Sequence, residues 1–161
     1  MKKRKLIIIP AYNESACIEK TVKDIQKYAP EFDYIVINDC STDNTREICE
    51  QHGFHLINLP VNLGIGGAVQ TGYLYGYRNG YDMAVQVDGD GQHNPAFLNE
   101  MAETLEKEKL DMVIGSRFIE KKGFQSSSMR RVGIRYFSAL IKILTGVRIT
   151  DPTSGLRLVN R

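Results

Sequence analysis

The feature that most constrains this chain is an alternation of short apolar runs with longer segments of helical periodicity. The runs are rich in β-branched residues and almost uninterrupted by polar ones, as in strands that are buried on both faces of a parallel sheet. We predict strands at residues 5–10, 34–38, 55–59, 83–88 and 111–116. We predict helices between them, near residues 14–28, 43–52, 66–78 and 95–108. The pattern indicates an α/β fold with a mostly parallel, doubly wound sheet.

Length and composition fit one globular domain. The chain has 161 residues, of which 42% are hydrophobic and 25% charged, so we predict a single domain over residues 1–161. Its three cysteines are an odd number without a CxxC pair, which argues against a disulfide framework and favours a reducing, cytoplasmic location. No run approaches the roughly 18 apolar residues that a membrane-spanning helix requires.

The net charge of +2 conceals a strong asymmetry. Residues 1–116 hold 11 basic and 17 acidic side chains, a net charge of −6. Residues 117–161 hold 10 basic and 2 acidic side chains, a net charge of +8. The last part of the chain is therefore expected to meet an anionic partner: nucleic acid, the phosphates of a small ligand, or an acidic membrane surface.

Polar and charged residues follow each predicted strand. In a doubly wound sheet, ligands bind beyond the carboxyl ends of the strands, so these residues are the candidates for a site. They include residues 10–14 after the first strand, 39–43 after the second, 62–67 after the third and 88–93 after the fourth. The glycine-rich residues 64–69 match neither the G-x-G-x-x-G fingerprint nor a P-loop, which leaves open an anion-binding helix start or a plain tight turn.

The acidic residues after the fourth strand suggest a metal site. Asp88 and Asp90 are separated by Gly89, and two carboxylates this close repel each other unless a cation lies between them. Hard oxygen ligands suit Mg²⁺ or Mn²⁺, and Gln92 offers another oxygen. An EF-hand does not fit, because the loop lacks its glycine and its final glutamate. A solvated Asp-Gly turn remains the simple alternative.

Six segments occur in the order found in one enzyme family: IIIPAYNES (7–15), IVINDCSTDNT (35–45), NLGIGGAVQTGY (62–73), VQVDGDGQHNP (85–95), IGSRF (114–118) and DPTSGLR (151–157). Together they resemble the family 2 glycosyltransferases of the GT-A fold. The resemblance is closest to dolichol-phosphate mannose synthases and their bacterial polyprenyl-phosphate relatives. Such relatives usually continue with further helices or membrane segments, which this domain is expected to lack.

The resemblance implies roles for individual residues, all of them expectations. Those implied to bind the nucleotide sugar are Pro10, Tyr12, Glu14, Asp39, Asp88, Gly89, Arg117 and Arg131. Asp88 and Asp90 match the DxD pair, with Gln92 as a third metal-proximal residue and Asp90 counted as catalytic. Asp151 matches an aspartate near the acceptor and is the second catalytic candidate, with a plain Asp-Pro turn as its alternative. Cys40 stands where relatives usually carry glycine and is expected to have no catalytic role.

The implied reaction is inverting transfer of a sugar from a UDP- or GDP-linked donor, with Mg²⁺ or Mn²⁺, to a polyprenyl phosphate. The alternatives are transfer to a saccharide hydroxyl with Asp151 as the base, or a nucleotide-binding remnant without turnover. A sugar-phosphate nucleotidyltransferase would be expected to show a glycine-rich phosphate loop after the first strand, and residues 10–14 do not supply one. We expect no nucleic-acid partner, because the basic residues follow a helical stripe and not a strand platform.

Residues 129–147 are predicted to form a basic amphipathic helix. Its polar stripe consists of Arg131, Arg135, Ser138 and Lys142, opposite Val132, Tyr136, Leu140, Ile143 and Val147. Such a helix lies in a membrane interface or packs on its own domain, and periodicity does not separate the two. Because a lipid-phosphate acceptor requires membrane contact, we favour peripheral binding at the cytoplasmic face of a membrane.

Overall fold

The computed structural model describes residues 3–91, 94–115, 136, 138–144, 146 and 154–161. The chain divides into two compact units, one formed by Met1–Val113 with Arg157–Arg161 and the other by Ile114–Leu156. A single domain over residues 1–161 remains a prediction.

Described residues form one six-stranded sheet and its covering helices. The strands are β1 (Lys5–Ala11), β2 (Asp33–Asn38), β3 (Leu56–Asn58), β4 (Met83–Gln86), β5 (Met112–Ile114) and β6 (Arg157–Asn160). The helices are α1 (Ile18–Tyr28), α2 (Thr45–Gln51), α3 (Gly64–Arg78) and α4 (Leu98–Lys107), the last preceded by a 3₁₀ turn at Pro95–Phe97. All five predicted strands and all four predicted helices are present. β1, β2 and α3 are longer than predicted, and the other elements are shorter.

The strand order is β3-β2-β1-β4-β6-β5. β1 runs parallel to both β2 and β4, β3 runs parallel to β2, and β6 lies antiparallel to β4. The prediction of a mostly parallel α/β sheet is therefore confirmed. β6 was not predicted, because its four residues bury only Leu158 fully and carry no clear periodicity.

The core forms on both faces of β1. Leu6 and Ile8 belong to one buried cluster, which α3 joins through Ala68. Gly72 lets the α3 backbone approach the sheet, because a Cβ atom there would lie 2.2 Å from Cγ2 of Ile8. Ile7 and Ile9 alternate to the opposite face and are equally buried. Helices α1 and α4 contribute nothing to the first cluster and bury apolar stripes of their own. Both faces are thus covered.

In the second unit, residues 136 and 138–144 are helical, within the predicted helix at 129–147. Four of its large apolar side chains are solvent-exposed: Tyr136, Leu140, Ile143 and Leu144. Near its end, the Ser154 hydroxyl donates to the Gly115 carbonyl at 2.6 Å, and the Gly115 N–H donates to the Leu156 carbonyl at 2.9 Å. Throughout the part of the chain described here, no helix combines the length and apolarity needed to cross a bilayer.

Candidate functional site

A cavity of about 430 Å³ opens at the carboxyl ends of β1, β2 and β4, in the first unit. From β1 the chain continues to β2 and then to β3, at one edge of the sheet. Helix α3 then leads back to the other side of β1, where β4 pairs with β1. The gap between β1 and β4 is therefore the topological switch point, where doubly wound sheets bind ligands. The cavity is lined by Pro10, Ala11, Tyr12, Glu14, Asp39, Asn62, Gly64, Ile65, Ala68, Asp88, Gly89 and Asp90.

Seven of the predicted site residues line this one cavity: Pro10, Tyr12, Glu14, Asp39, Asp88, Gly89 and Asp90. The four others, Gln92, Arg117, Arg131 and Asp151, lie outside the described residues. The structure thus brings together residues that follow three different strands, while their individual roles remain predictions.

Asp39 is 3% exposed and ties three segments together at the end of β2. Its N–H donates to the Ala11 carbonyl at 2.9 Å, and its Oδ1 accepts from the Leu63 N–H at 2.7 Å. Next to this contact, Asn62 Oδ1 accepts from the Gly64 N–H at 3.0 Å, at the first residue of α3. Gly64 has φ 73°, which only glycine adopts readily. These contacts favour the tight-turn interpretation of the glycine-rich stretch.

The loops after β1 and β2 are cross-linked by polar contacts. We call residues 12–17 the β1 loop and residues 39–44 the β2 loop. The backbone N–H groups of residues 13, 14 and 15 donate, in order, to Ser41 Oγ at 3.0 Å, to Thr45 Oγ1 at 2.8 Å and to Asp43 Oδ2 at 3.0 Å. In return, Asn13 Oδ1 accepts from the N–H groups of Thr42 at 2.8 Å and Asp43 at 3.3 Å.

Residues 88–91, the acidic turn, form the opposite wall. Gln86 Nε2 donates to Asp88 Oδ1 at 2.8 Å, and the buried Thr21 hydroxyl donates to the Gly89 carbonyl at 3.0 Å. Packing at Gly89 is tight, since a Cβ atom there would lie 3.1 Å from the Pro10 carbonyl oxygen. Gly91 has φ 72°, which disfavours other residues. Gly89 therefore allows the turn to approach β1 closely, and Gly91 allows its left-handed backbone angle.

The cavity is strongly acidic. Burial raises the pKa of Glu14, and the negative charges of Asp90, Asp43 and Asp88 raise it further. Among the described residues that line the cavity there is no lysine or arginine. The carboxylates of Asp88 and Asp90 are hard oxygen donors that suit Mg²⁺ or Mn²⁺.

The described residues of the cavity do not form a metal site whose ligands all come from the protein. No group of three or more His, Cys, Asp or Glu side chains in the described ranges is arranged to hold a metal ion. Mg²⁺ is commonly bound by one or two carboxylates together with substrate phosphates, and a carboxylate pair beside an open cavity fits that arrangement.

The family model for "Glycosyl transferase family 2" matches residues 6–161. The chain belongs to this family. An undecaprenyl-phosphate mannosyltransferase from Micrococcus luteus is 32% identical over 160 residues, covering 96% of this chain and 65% of the relative. A UDP-N-acetylglucosamine–dolichyl-phosphate N-acetylglucosaminyltransferase from Methanococcus voltae is 31% identical, covering 96% of this chain and 68% of the relative. The family 2 chain thus spans about two thirds of the length of these curated relatives.

The fold of this family 2 chain is GT-A. The crystal structure of glucosyl-3-phosphoglycerate synthase from Mycobacterium tuberculosis, in complex with Mn²⁺, UDP and phosphoglyceric acid, superimposes with a TM-score of 0.72. The match covers 98% of this chain and 56% of that one at 23% sequence identity. The family and fold expected from the six sequence segments are both confirmed.

Cys40 occupies a backbone conformation that favours glycine. The residue has φ 57°, in the left-handed region that glycine enters without a steric cost. Its Sγ atom lies 3.9 Å from the Pro60 carbonyl oxygen. The cysteine therefore keeps a glycine-like backbone angle in the β2 loop and does not line the cavity.

Sequence reasoning missed the residues that join the two loops: Asn13, Ser41, Asp43 and Thr45. Small polar residues are concentrated in both loops, but only the register of β1 against β2, which pairs Ala11 with Asn38, shows that the loops meet. Combining that register with the preference of such side chains for nearby backbone groups would have indicated the contacts.

Proposed function

We propose that this chain carries the core of an enzyme that transfers a sugar, with inversion, from a nucleoside-diphosphate sugar to a polyprenyl phosphate. The observation that carries the proposal is the acidic cavity at the switch point, where the Asp88–Asp90 pair faces a wall built from the β1 and β2 loops. The names of the two relatives support the acceptor class, since one refers to undecaprenyl phosphate and the other to dolichyl phosphate.

The β1 and β2 loops are proposed to hold the nucleoside. Tyr12 lines the cavity with a side chain that is 48% exposed, so its ring is available to lie against a base. Buried Asp39 offers a carboxylate at the same wall, and Pro10 and Glu14 complete it. Titration with UDP and GDP distinguishes a uracil site from a guanine site.

The acidic turn is proposed to hold the donor's diphosphate through Mg²⁺ or Mn²⁺. Asp88 and Asp90, with Gln92, would bind the ion, which would neutralise charge that develops on the leaving diphosphate. Gly89 lets the acidic turn lie close to β1, because a Cβ atom there would lie 3.1 Å from the Pro10 carbonyl oxygen. Arg117 and Arg131 are proposed to contact phosphates, in a region with a net charge of +8.

A phosphate acceptor needs little help from a base, because it is already an anionic nucleophile. A hydroxyl acceptor must lose a proton during attack, and Asp151 is the residue proposed for that alternative reaction.

Calorimetric titration with UDP and GDP, with and without Mn²⁺, tests the donor site. We expect one nucleotide to bind in a Mn²⁺-dependent manner, and Asp90→Ala to weaken that binding about hundredfold, the scale of losing one electrostatic contact to developing or bound phosphate charge. Asp24→Ala is the matched control, because Asp24 lies on α1 in an ion pair with Lys20 and does not line the cavity. If the folded wild-type chain binds neither nucleotide, the proposal is wrong.

Peripheral membrane contact through residues 129–147 is proposed as part of the same function. Tyr136, Ile143 and Leu144 are 65%, 80% and 74% exposed, which is unusual for large apolar side chains on one short helix. Lys142 on the same helix is also exposed. Apolar side chains beside basic ones are typical of helices that lie in an anionic membrane interface.

Co-sedimentation with vesicles measures this contact. We expect the chain to bind vesicles that contain anionic lipid. In Ile143→Ser/Leu144→Ser we expect binding to be about tenfold weaker. Full burial of one such side chain contributes roughly 1.5–3 kcal/mol, and partial burial in the membrane interface contributes a fraction of that. The control is Leu74→Ser/Tyr77→Ser on α3, whose side chains are also exposed but belong to residues 1–116, which carry a net charge of −6. Equal weakening in both variants would contradict contact through residues 129–147.

A further inference from the structure

Three consecutive backbone N–H groups of the β1 loop donate to side chains from the other loop and the start of α2. Those acceptors belong to Ser41, Thr45 and Asp43, which lie 28 to 31 positions away in the sequence. Asn13 Oδ1 returns the interaction by accepting from the β2 loop backbone. The shape of each loop is therefore set by the other loop, across the gap between β1 and β2.

These contacts alternate with residues that line the cavity. Tyr12 and Glu14 line it, whereas Asn13 between them does not. Asn13 has φ 58°, a left-handed angle that asparagine tolerates better than most residues, so the chain turns sharply at this point. On the other loop, Asp39 lines the cavity, while Ser41, Asp43 and Thr45 do not.

The N–H groups of residues 13–15 are already satisfied and are not available to a diphosphate. In many α/β proteins, N–H groups at such a position bind phosphate directly. Here the β1 loop meets a ligand through the side chains of Tyr12 and Glu14, so the ligand contacts depend on how firmly the loop backbone is held.

We propose that Asn13 and Thr45, together with Asp43, are positioning residues that lock the β1 loop onto the β2 loop and so hold Tyr12 and Glu14 in register with Asp39 for nucleotide binding. This inference rests on the proposed function, in which those three side chains contact the nucleoside. None of the three positioning residues lines the cavity.

The hydrogen bonds that join the β1 loop to the β2 loop and Thr45, which we call the interlock, involve a buried hydroxyl and a carboxylate that stays ionised. Thr45 is fully buried, so losing its hydroxyl leaves the Glu14 N–H without its partner in a site that water reaches poorly. Burial acts to raise the pKa of Asp43, but hydrogen bonds from Thr45 and Ser15 outweigh it and lower that pKa to about 2. The Asp43 carboxylate therefore remains an acceptor throughout the pH range of ordinary assays.

The sharpest test compares Thr45→Val with Thr45→Ser. Valine matches the shape of threonine but cannot accept from Glu14, whereas serine keeps the hydroxyl. We expect Thr45→Val to weaken Mn²⁺-dependent binding of UDP or GDP, whichever the wild type binds, about tenfold, as for the loss of one buried hydrogen bond. Thr45→Ser should bind within about twofold of the wild type. Asn13→Gly keeps the left-handed angle, removes the amide, and is also expected to lose about tenfold.

Asn79→Ala controls for lost stability. It removes a hydrogen bond of similar length, from Asn79 Nδ2 to the Tyr75 carbonyl at 2.8 Å, at the end of α3 and away from the cavity. Nucleotide affinity should not change in this variant. If Thr45→Val loses no more affinity than Asn79→Ala at matched stability, or if Thr45→Ser fails to restore binding, the interlock does not position the site.

Amide hydrogen exchange separates this inference from the proposed function, because it needs no nucleotide. In Thr45→Val and Asn13→Gly we expect faster exchange in peptides covering residues 12–17 and 39–45, with unchanged exchange in β1 and β4. Unchanged exchange in both loops would overturn the interlock. A wild-type chain that binds no nucleotide would instead overturn the proposed function, and the exchange data would then decide the interlock alone.

Discussion

The two walls of the cavity are built in different ways. The β1 and β2 loops are held by side chains that bond to backbone groups of the opposite loop and do not themselves line the cavity. The acidic turn is held close to β1 by the absence of a side chain at Gly89 and by the Thr21 hydroxyl beneath it. One wall is shaped by polar contacts and the other by close packing.

This difference predicts different responses to substitution. In the loop pair, a small change to a supporting side chain alters the positions of Tyr12 and Glu14 without touching the ligand. In the acidic turn, a Cβ atom added at Gly89 would meet Pro10 and Glu14 on the facing wall and push the two walls apart. Burial raises the pKa of Glu14 on the facing wall, and the negative charges of Asp90, Asp43 and Asp88 raise it further, so a change in spacing alters the charge that a cation meets.

Among substitutions that leave every proposed metal ligand in place, the largest effect is expected for Gly89→Ala. The new Cβ would lie 3.1 Å from the Pro10 carbonyl oxygen and 3.4 Å from Cγ of Glu14, and backbone cannot give way as a flexible side chain does. Overpacking of this kind costs about 1–3 kcal/mol, so we expect unfolding in urea at lower concentration and Mn²⁺-dependent nucleotide affinity at least tenfold weaker.

Gly80→Ala separates the two consequences of that change. Gly80 has φ 72° with open space around it, so alanine there costs roughly 1 kcal/mol of backbone strain but lies away from the cavity. Urea unfolding should show the loss, and calorimetry should show unchanged affinity. Equal affinities in Gly89→Ala and the wild type would mean that the close approach to Pro10 is not what shapes the acidic wall.

The same contrast explains what the sequence could predict. The strands β1, β2 and β4 carry continuous apolar runs, and the carboxyl ends of parallel strands lie at the same edge of the sheet, so position predicted the segments that line the cavity. The seven individual residues were expected from the family resemblance. β6 lies antiparallel and has only four residues, which is too few for a period to be read. The predicted roles of Gln92, Arg117, Arg131 and Asp151 concern residues that lie outside the described ones.

Contacts between the loops could not be predicted from hydrophobic patterns. They depend on the register that sets Ala11 beside Asn38, and a shift of one residue would place different polar groups opposite one another. Packing around Gly89 likewise depends on how near β4 lies to β1. Sequence therefore identifies which residues reach the cavity, whereas the structure shows what holds them there.

The smallest effect is expected for Cys40→Gly. This variant tests whether the two walls also differ in which residues adopt left-handed backbone angles. Left-handed angles fall on Gly91 in the acidic turn but on Asn13 and Cys40 in the loop pair. A non-glycine residue in this region costs about 1–2 kcal/mol, while glycine loses about 0.5–1 kcal/mol more backbone entropy on folding. We therefore expect a net stabilisation of roughly 0.5–1 kcal/mol in urea unfolding, with unchanged nucleotide affinity.

Cys17→Gly is the matched control for that prediction. Cys17 is half-buried like Cys40 but has φ −122°, so glycine relieves no strain there and adds only its entropic cost at the start of α1. The two cysteine variants should thus shift stability in opposite directions. If both variants are destabilised, packing of the Cys40 side chain outweighs the strain of its backbone angle. The β2 loop would then depend on close packing as well as on polar contacts, as the acidic turn does.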